Sequence, residues 1–216
     1  MSFLNQLKSQ AQALQSQQAT LQNDLATQLQ QTEAACQKVL HYLNELARQL
    51  NVLGPAAPPL SLDGKTPWPP MKLLQFRVDV RKKLLRQQEV VDYIGMAWQI
   101  LPQQGPVGSG VVSVNFPPDL KRVEERLHVG MVRHERREQR HPEKGSLLAI
   151  RFEYQTETRG NVVVTPDHDR GRLSFRLVNL SGFGIQQVDK PVPDIGTPLL
   201  DELAKLLVSQ PSRFLM

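Results

Sequence analysis

The chain of 216 residues contains one cysteine, Cys36. An intramolecular disulfide and a cysteine-based zinc site are therefore excluded. No apolar run approaches the roughly 18 residues of a membrane-spanning helix, and none is expected. The opening Met1-Ser-Phe-Leu-Asn-Gln lacks the basic end and apolar stretch of a signal peptide, so the expectation is a cytoplasmic protein. Charge is scarce in the first 53 residues. Three basic residues (Lys8, Lys38, Arg48) cancel three acidic ones (Asp24, Glu33, Glu45), and the net +5 of the whole chain lies beyond them. A mild basic excess suits nucleic acid or an acidic partner, and is also common on ordinary soluble surfaces.

Motifs for chemistry are equally sparse. Gly108-Ser109-Gly110 lacks the five-residue spacing of a nucleophile elbow. The loop Gly105–Gly110 precedes a strand and lacks the lysine of a phosphate-binding loop. His128, His134 and His141 are spaced by six and seven residues, which does not place them on one helix face. His168 sits between Asp167 and Asp169 in a turn. The expectation is a non-enzyme with no catalytic residue, no cofactor and no metal.

What the chain does have is a heptad stripe. Leu4, Leu7, Ala11, Leu14, Gln18, Leu21 and Leu25 alternate steps of three and four. Leu29 follows after another step of four, and the rhythm resumes through Thr32, Cys36, Val39, Leu43, Leu46, Leu50 and Leu53. The two successive four-residue steps at Leu21–Leu25–Leu29 are a stutter, which locally unwinds a left-handed supercoil. Such a stripe needs a covering partner. Either it forms a coiled coil between chains, with Leu7, Leu14, Leu21, Leu25, Leu29, Val39, Leu43, Leu46 and Leu50 as the oligomer seam, or it packs back on its own chain. Cys36 falls on the seam and reads as a buried structural thiol, which in a parallel in-register pair could face its twin. Gln18 and Thr32, both polar, are placed to set register. Flanking charges that would select a partner are nearly absent, so specificity falls to the seam or the attached domain.

The helix ends at Gly54-Pro55-Ala56-Ala57-Pro58-Pro59, and 54–70 reads as a stiff connector whose Leu60, Leu62 and Trp68 pack against something. The predicted class is α+β: the long helix 1–53, then a domain over 71–216. Within it the pattern predicts helices at about 71–101 and 118–140, strands at about 111–116 and 147–188, and a closing helix at about 198–209. Leu73, Leu74, Val80, Leu84, Val91, Ile94, Trp98 and Leu101 carry the first of these helices at helical spacing, on a face that could meet the long helix. The strands after Gly145, joined by tight turns, predict a small antiparallel meander covered by the closing helix.

Two stretches are candidate anion or nucleic-acid contacts: Arg81, Lys82, Lys83 and Arg86, and Arg133, Arg136, Arg137 and Arg140. Residues 121–144 carry a net +3, with glutamates interleaved and no aromatic residue for stacking on bases. Asn179-Leu-Ser-Gly-Phe-Gly184 resembles the Asn/Asp-x-Ser-x-x-Gly motif of PilZ domains, and Arg133/Arg137 and Arg136/Arg140 match the Arg-x-x-x-Arg pair of that family. The resemblance implies a sensor of cyclic di-GMP. The sequence departs from the family in two ways. The arginines lie more than 40 residues upstream, and only 32 residues follow Gly184 where more strands belong. The reading that the residues favour is a non-catalytic scaffold or adaptor that oligomerises, or binds a helical protein partner, through the first helix. Nucleic-acid association is the alternative, and a membrane partner is not expected.

Overall fold

The computed structural model describes residues 3–216, except for the side chains of residues 4 and 5. The class is α+β. Helix α1 (Phe3–Leu53) is followed by strands β1 (Met71–Leu85), β2 (Gln88–Pro102) and β3 (Ser109–Val114), and by helix α2 (Pro117–Val129). Then come β4 (His134–Arg140), β5 (Leu147–Gln155), β6 (Thr158–Asp167), β7 (Arg172–Val178), β8 (Ile185–Pro191) and helix α3 (Thr197–Leu207). The strands form two antiparallel sheets, one of five in the order β1-β2-β6-β7-β8 and one of three in the order β3-β5-β4. No helix among the described residues is long and apolar enough to cross a membrane.

The helix expected over 71–101 is instead the β1–β2 hairpin. Its disguise has a structural cause. Between Leu74 and Arg77 two residues of β1 oppose one residue of β2, and Gln75 adopts φ +56°. This bulge flips which residues face inward, so Met71 and Leu73 are buried before it and Phe76 after it. A second register shift between Arg81 and Lys82 does the same opposite Val91 and Ile94. Period two, broken twice, mimics helical spacing. The turn itself, Arg86-Gln87, has positive φ at both residues (+49° and +65°), the geometry of a type I′ hairpin without the usual Asn-Gly.

The helix expected to reach residue 140 stops at Val129, capped by Gly130, and His134–Arg140 forms β4. That strand is an edge with every residue exposed, so it shows no apolar alternation. Its ion pairs run between residues two apart on one face, Arg137 with Glu135 at 2.8 Å and Arg140 with Glu138 at 2.7 Å. The single meander is corrected too. β6, β7 and β8 do pair in sequence, but β5 belongs to the smaller sheet.

The connector behaves as its apolar residues imply. Ala56 bridges Lys72 of β1, and Leu60, Leu62 and Trp68 are buried. Trp68 stacks on Tyr154 of β5 and meets the edge of Phe183. The core lies where α1 crosses β1 and β2, with α3 alongside α1. Leu200, Leu203 and Leu207 of α3 are buried, and the Tyr42 hydroxyl donates to Asp201 at 2.7 Å. At the foot of α1, Asn51 meets the β1 bulge. Its Nδ2 donates to the Phe76 carbonyl at 2.9 Å and its Oδ1 accepts the Phe76 N–H at 2.7 Å. One side-chain amide thus satisfies both backbone groups of a bulge residue that the sheet leaves unpaired.

Candidate functional site

The heptad stripe of α1 is divided. Leu29, Val39, Leu43 and Leu50 are buried against the protein's own sheet, and Leu46 is half-buried. Leu7, Leu14 and Leu21 are 46%, 60% and 58% exposed, with Leu25 partly covered between the two sets. Every described residue from Gln6 to Asp24 is exposed. At 1.5 Å per residue, the segment 3–28 is an arm of about 39 Å on a helix of about 77 Å. The changeover falls on the stutter at Leu25–Leu29. One register block serves the arm and the other serves the core. Leu4 belongs to the outer block, and its side chain lies outside the described residues. Leu53, assigned to the same seam in sequence, is 72% exposed. A straight helix drifts against a strict heptad, and Ala47 and Leu50 take the inward positions at that end.

The root of the arm is held by the β6–β7 turn. Thr32 is fully buried and its Oγ1 donates to the Gln28 carbonyl at 2.8 Å. Glu33 Oε1 accepts the Val91 N–H at 3.0 Å and sits 2.8 Å from Nε2 of the buried His168. Gly171 of the same turn, at φ +60°, presses so closely that a Cβ there would stand 2.7 Å from Gln28 Nε2. His168 is therefore a docking residue for α1. His134 and His141 instead contact backbone, His134 at the Val132 carbonyl and His141 at the N–H groups of Glu143 and Lys144.

Cys36 does not face a twin. It is fully buried in its own chain, one turn below this clamp. Burial, with a smaller contribution from Glu33, pushes its thiol up to about 12. Because the thiolate is the reactive form, native protein at pH 8 should show no reaction with a maleimide over the time in which guanidinium-unfolded protein gives one labelled thiol per chain. Rapid native labelling, read by mass spectrometry, would contradict the burial.

The eight candidate anion contacts are all exposed, and each lies within 4 Å of a carboxylate. Arg81 and Lys83 share Asp92, Lys82 pairs with Glu89, and Arg86 with Asp169. Arg133 lies near Glu157, Arg136 near Glu124 and Glu138, Arg137 near Glu135 and Arg140 near Glu138. The two groups are not one patch. Arg86 meets the turn after β6, whereas Arg133 meets Glu157 just before β6, about 30 Å away along that strand.

The Asn179–Gly184 segment is a closed turn. Asn179, buried at φ +59°, donates from Nδ2 to the Arg159 carbonyl at 2.7 Å and accepts the Gly184 N–H at 3.1 Å. Its amide is thus occupied by backbone. Arg159, which sequence reasoning passed over, lines a polar crevice with Arg133, Gln99 and Glu157. Arg133 comes near Arg159 because its carbonyl accepts the Gln155 N–H at the end of β5, which runs directly into β6, and no short motif encodes it.

Comparison with known proteins returns no match among protein families, curated proteins or solved structures. The PilZ resemblance rests on the short motifs alone.

Proposed function

We propose that the protein is a non-catalytic cytoplasmic scaffold or adaptor that assembles through the outer half of α1 and presents the α+β head as a docking surface. The exposure of Leu7, Leu14 and Leu21 on a helix standing clear of its own domain carries this reading. A leucine stripe of this kind is stable in water only when covered. Removing residues 1–53 would strip the core, so the arm has to be disabled by substitution. Light scattering and affinity capture should show the intact chain self-associating or holding a helical partner. The variant carrying Leu7→Ser, Leu14→Ser and Leu21→Ser should remain folded, run as a monomer and capture nothing. An intact chain that is monomeric and captures the same proteins as the triple variant would refute the reading.

A second reading, a small-ligand sensor, is supported by the crevice in which Arg133 and Arg159 converge beside the Asn179 turn. Calorimetry with cyclic di-GMP tests it, with Arg133→Ala as the control expected to abolish any heat. Nucleic-acid association has less support, because all eight basic candidates already lie beside carboxylates. It requires binding that weakens steeply with salt.

A further inference from the structure

We propose that the docking surface of the head is the uncovered face of the five-stranded sheet, and that its partner is an extended, acidic protein segment seated among Arg77, Arg159 and Arg176. This rests on the scaffold reading, and it names the face and the partner's chemistry.

The sheet has two unlike faces. Along β2, Ile94, Met96, Trp98 and Ile100 are buried in the core with α1, while Tyr93, Gly95, Ala97 and Gln99 alternate with them and look away from it. β6 and β7 repeat the pattern. Val162, Val164, Leu173 and Phe175 point inward, and Arg159, Val163 and Arg176 point outward. The register sets Ala97 beside Arg77, Gln99 beside Arg159, Gly95 beside Val163, and Val163 beside Arg176. The middle of this face is therefore a floor of small side chains, Gly95, Ala97 and Val163, with arginines around it. With strands about 4.8 Å apart and about 3.3 Å of rise per residue, the Cα atoms of the three arginines stand about 12–16 Å from one another.

These arginines differ from the eight basic residues singled out in the sequence. All three are exposed, and among the described residues no carboxylate lies within 4 Å of any of them. Guanidinium groups on a rigid sheet, without a counter-ion of their own, are free to fork onto carboxylate or phosphate.

The rest of the face favours carboxylates on a protein. The edge strands β1 and β8 carry Asp79 and Asp189 on it, opposite Gly95 and Ser174. Duplex DNA, with a charge about every 1.7 Å of its axis, would press phosphates against both edges. Tyr93 is the only aromatic residue on the face, which leaves the bases of a single strand one platform to stack on. A protein segment can place carboxylates only where the arginines are. In an extended chain, side chains four residues apart share a face at about 13 Å, within the range of the arginine spacing. Arginine and tyrosine are also enriched where proteins meet.

The test uses the full chain and three fluorescein-labelled probes: a peptide alternating glutamate and threonine, a single-stranded DNA of equal charge, and a duplex DNA. Anisotropy is read at about 0.15 M ionic strength, where charges more than about 8 Å apart are screened. The peptide should bind more tightly than either DNA. Arg77→Ser, Arg159→Ser and Arg176→Ser together should weaken it about tenfold or more. The charge-matched triple Arg136→Ser, Arg137→Ser and Arg140→Ser should leave it within about twofold. Ala97→Glu, a single exposed site that sets a carboxylate on the floor, should weaken the peptide as well, and decides the matter if the first triple does not fold. No peptide binding, equal losses in the two triples, an unaffected Ala97→Glu variant, or a DNA held more tightly than the peptide overturns the proposal. The arm is tested apart from this face, because the Leu7/Leu14/Leu21→Ser variant should bind the peptide as the intact chain does while losing assembly.

Discussion

Replacing Leu43 with alanine should cost about 2–5 kcal/mol of folding stability, while the same change at Leu14 should cost less than about 0.5 kcal/mol. Both are leucines of one heptad stripe on one helix, 29 residues apart. Leu43 is completely buried beneath the β1–β2 hairpin, and its truncation removes contacts and leaves a cavity in close-packed surroundings. Leu14 is 60% exposed, and alanine is at least as good a helix former. Urea denaturation at low micromolar protein, where separate arms are favoured, measures both. Against a total stability of about 5–15 kcal/mol, the Leu43 variant should show a large fall in midpoint. Equal losses at the two sites would mean that the arm packs on its own domain.

Asn51→Ala should cost about 1–3 kcal/mol for each Phe76 backbone group it leaves without a partner. The bulge at Gln75–Phe76 exists only because something outside the sheet satisfies it, and the Asn51 amide does so in both directions. Asn51→Asp separates hydrogen bonding from packing. It has the same shape and can still accept the Phe76 N–H, but it places a carboxylate oxygen against the Phe76 carbonyl. Its stability should therefore fall nearly as far as that of the alanine variant at neutral pH, by thermal or urea unfolding. An aspartate variant as stable as the native protein would show that the amide is not what holds the bulge.

These two sites also show what was legible in the sequence. The extent of α1, its stop at Gly54, the buried connector residues and the closing helix followed from periodicity and from proline and glycine placement. The β1–β2 hairpin did not, because two register shifts and an Arg-Gln turn removed the alternation and the turn signature together. Strand β4 was hidden because an exposed edge strand needs no apolar residue, and its mixed Arg and Glu leave no apolar alternation to mark a strand. The candidate site was half legible. The stripe and its stutter were visible, but an apolar stripe looks the same whether a partner helix or the chain's own sheet covers it. Only the fold separates Leu7, Leu14 and Leu21 from Val39, Leu43 and Leu50. His168 was invisible for a similar reason, since its partner Glu33 lies 135 residues away.

The division of α1 into a core half and an assembly half is tested most directly by amide hydrogen exchange along the helix at several protein concentrations. Exchange in residues 6–24 should be slow when the protein is concentrated and should accelerate on dilution, as paired arms separate. Residues 32–50 should stay protected throughout, because their protection comes from the fold. Protection that is uniform along α1 and independent of concentration, or loss of protection in 32–50 together with the arm, would contradict the division.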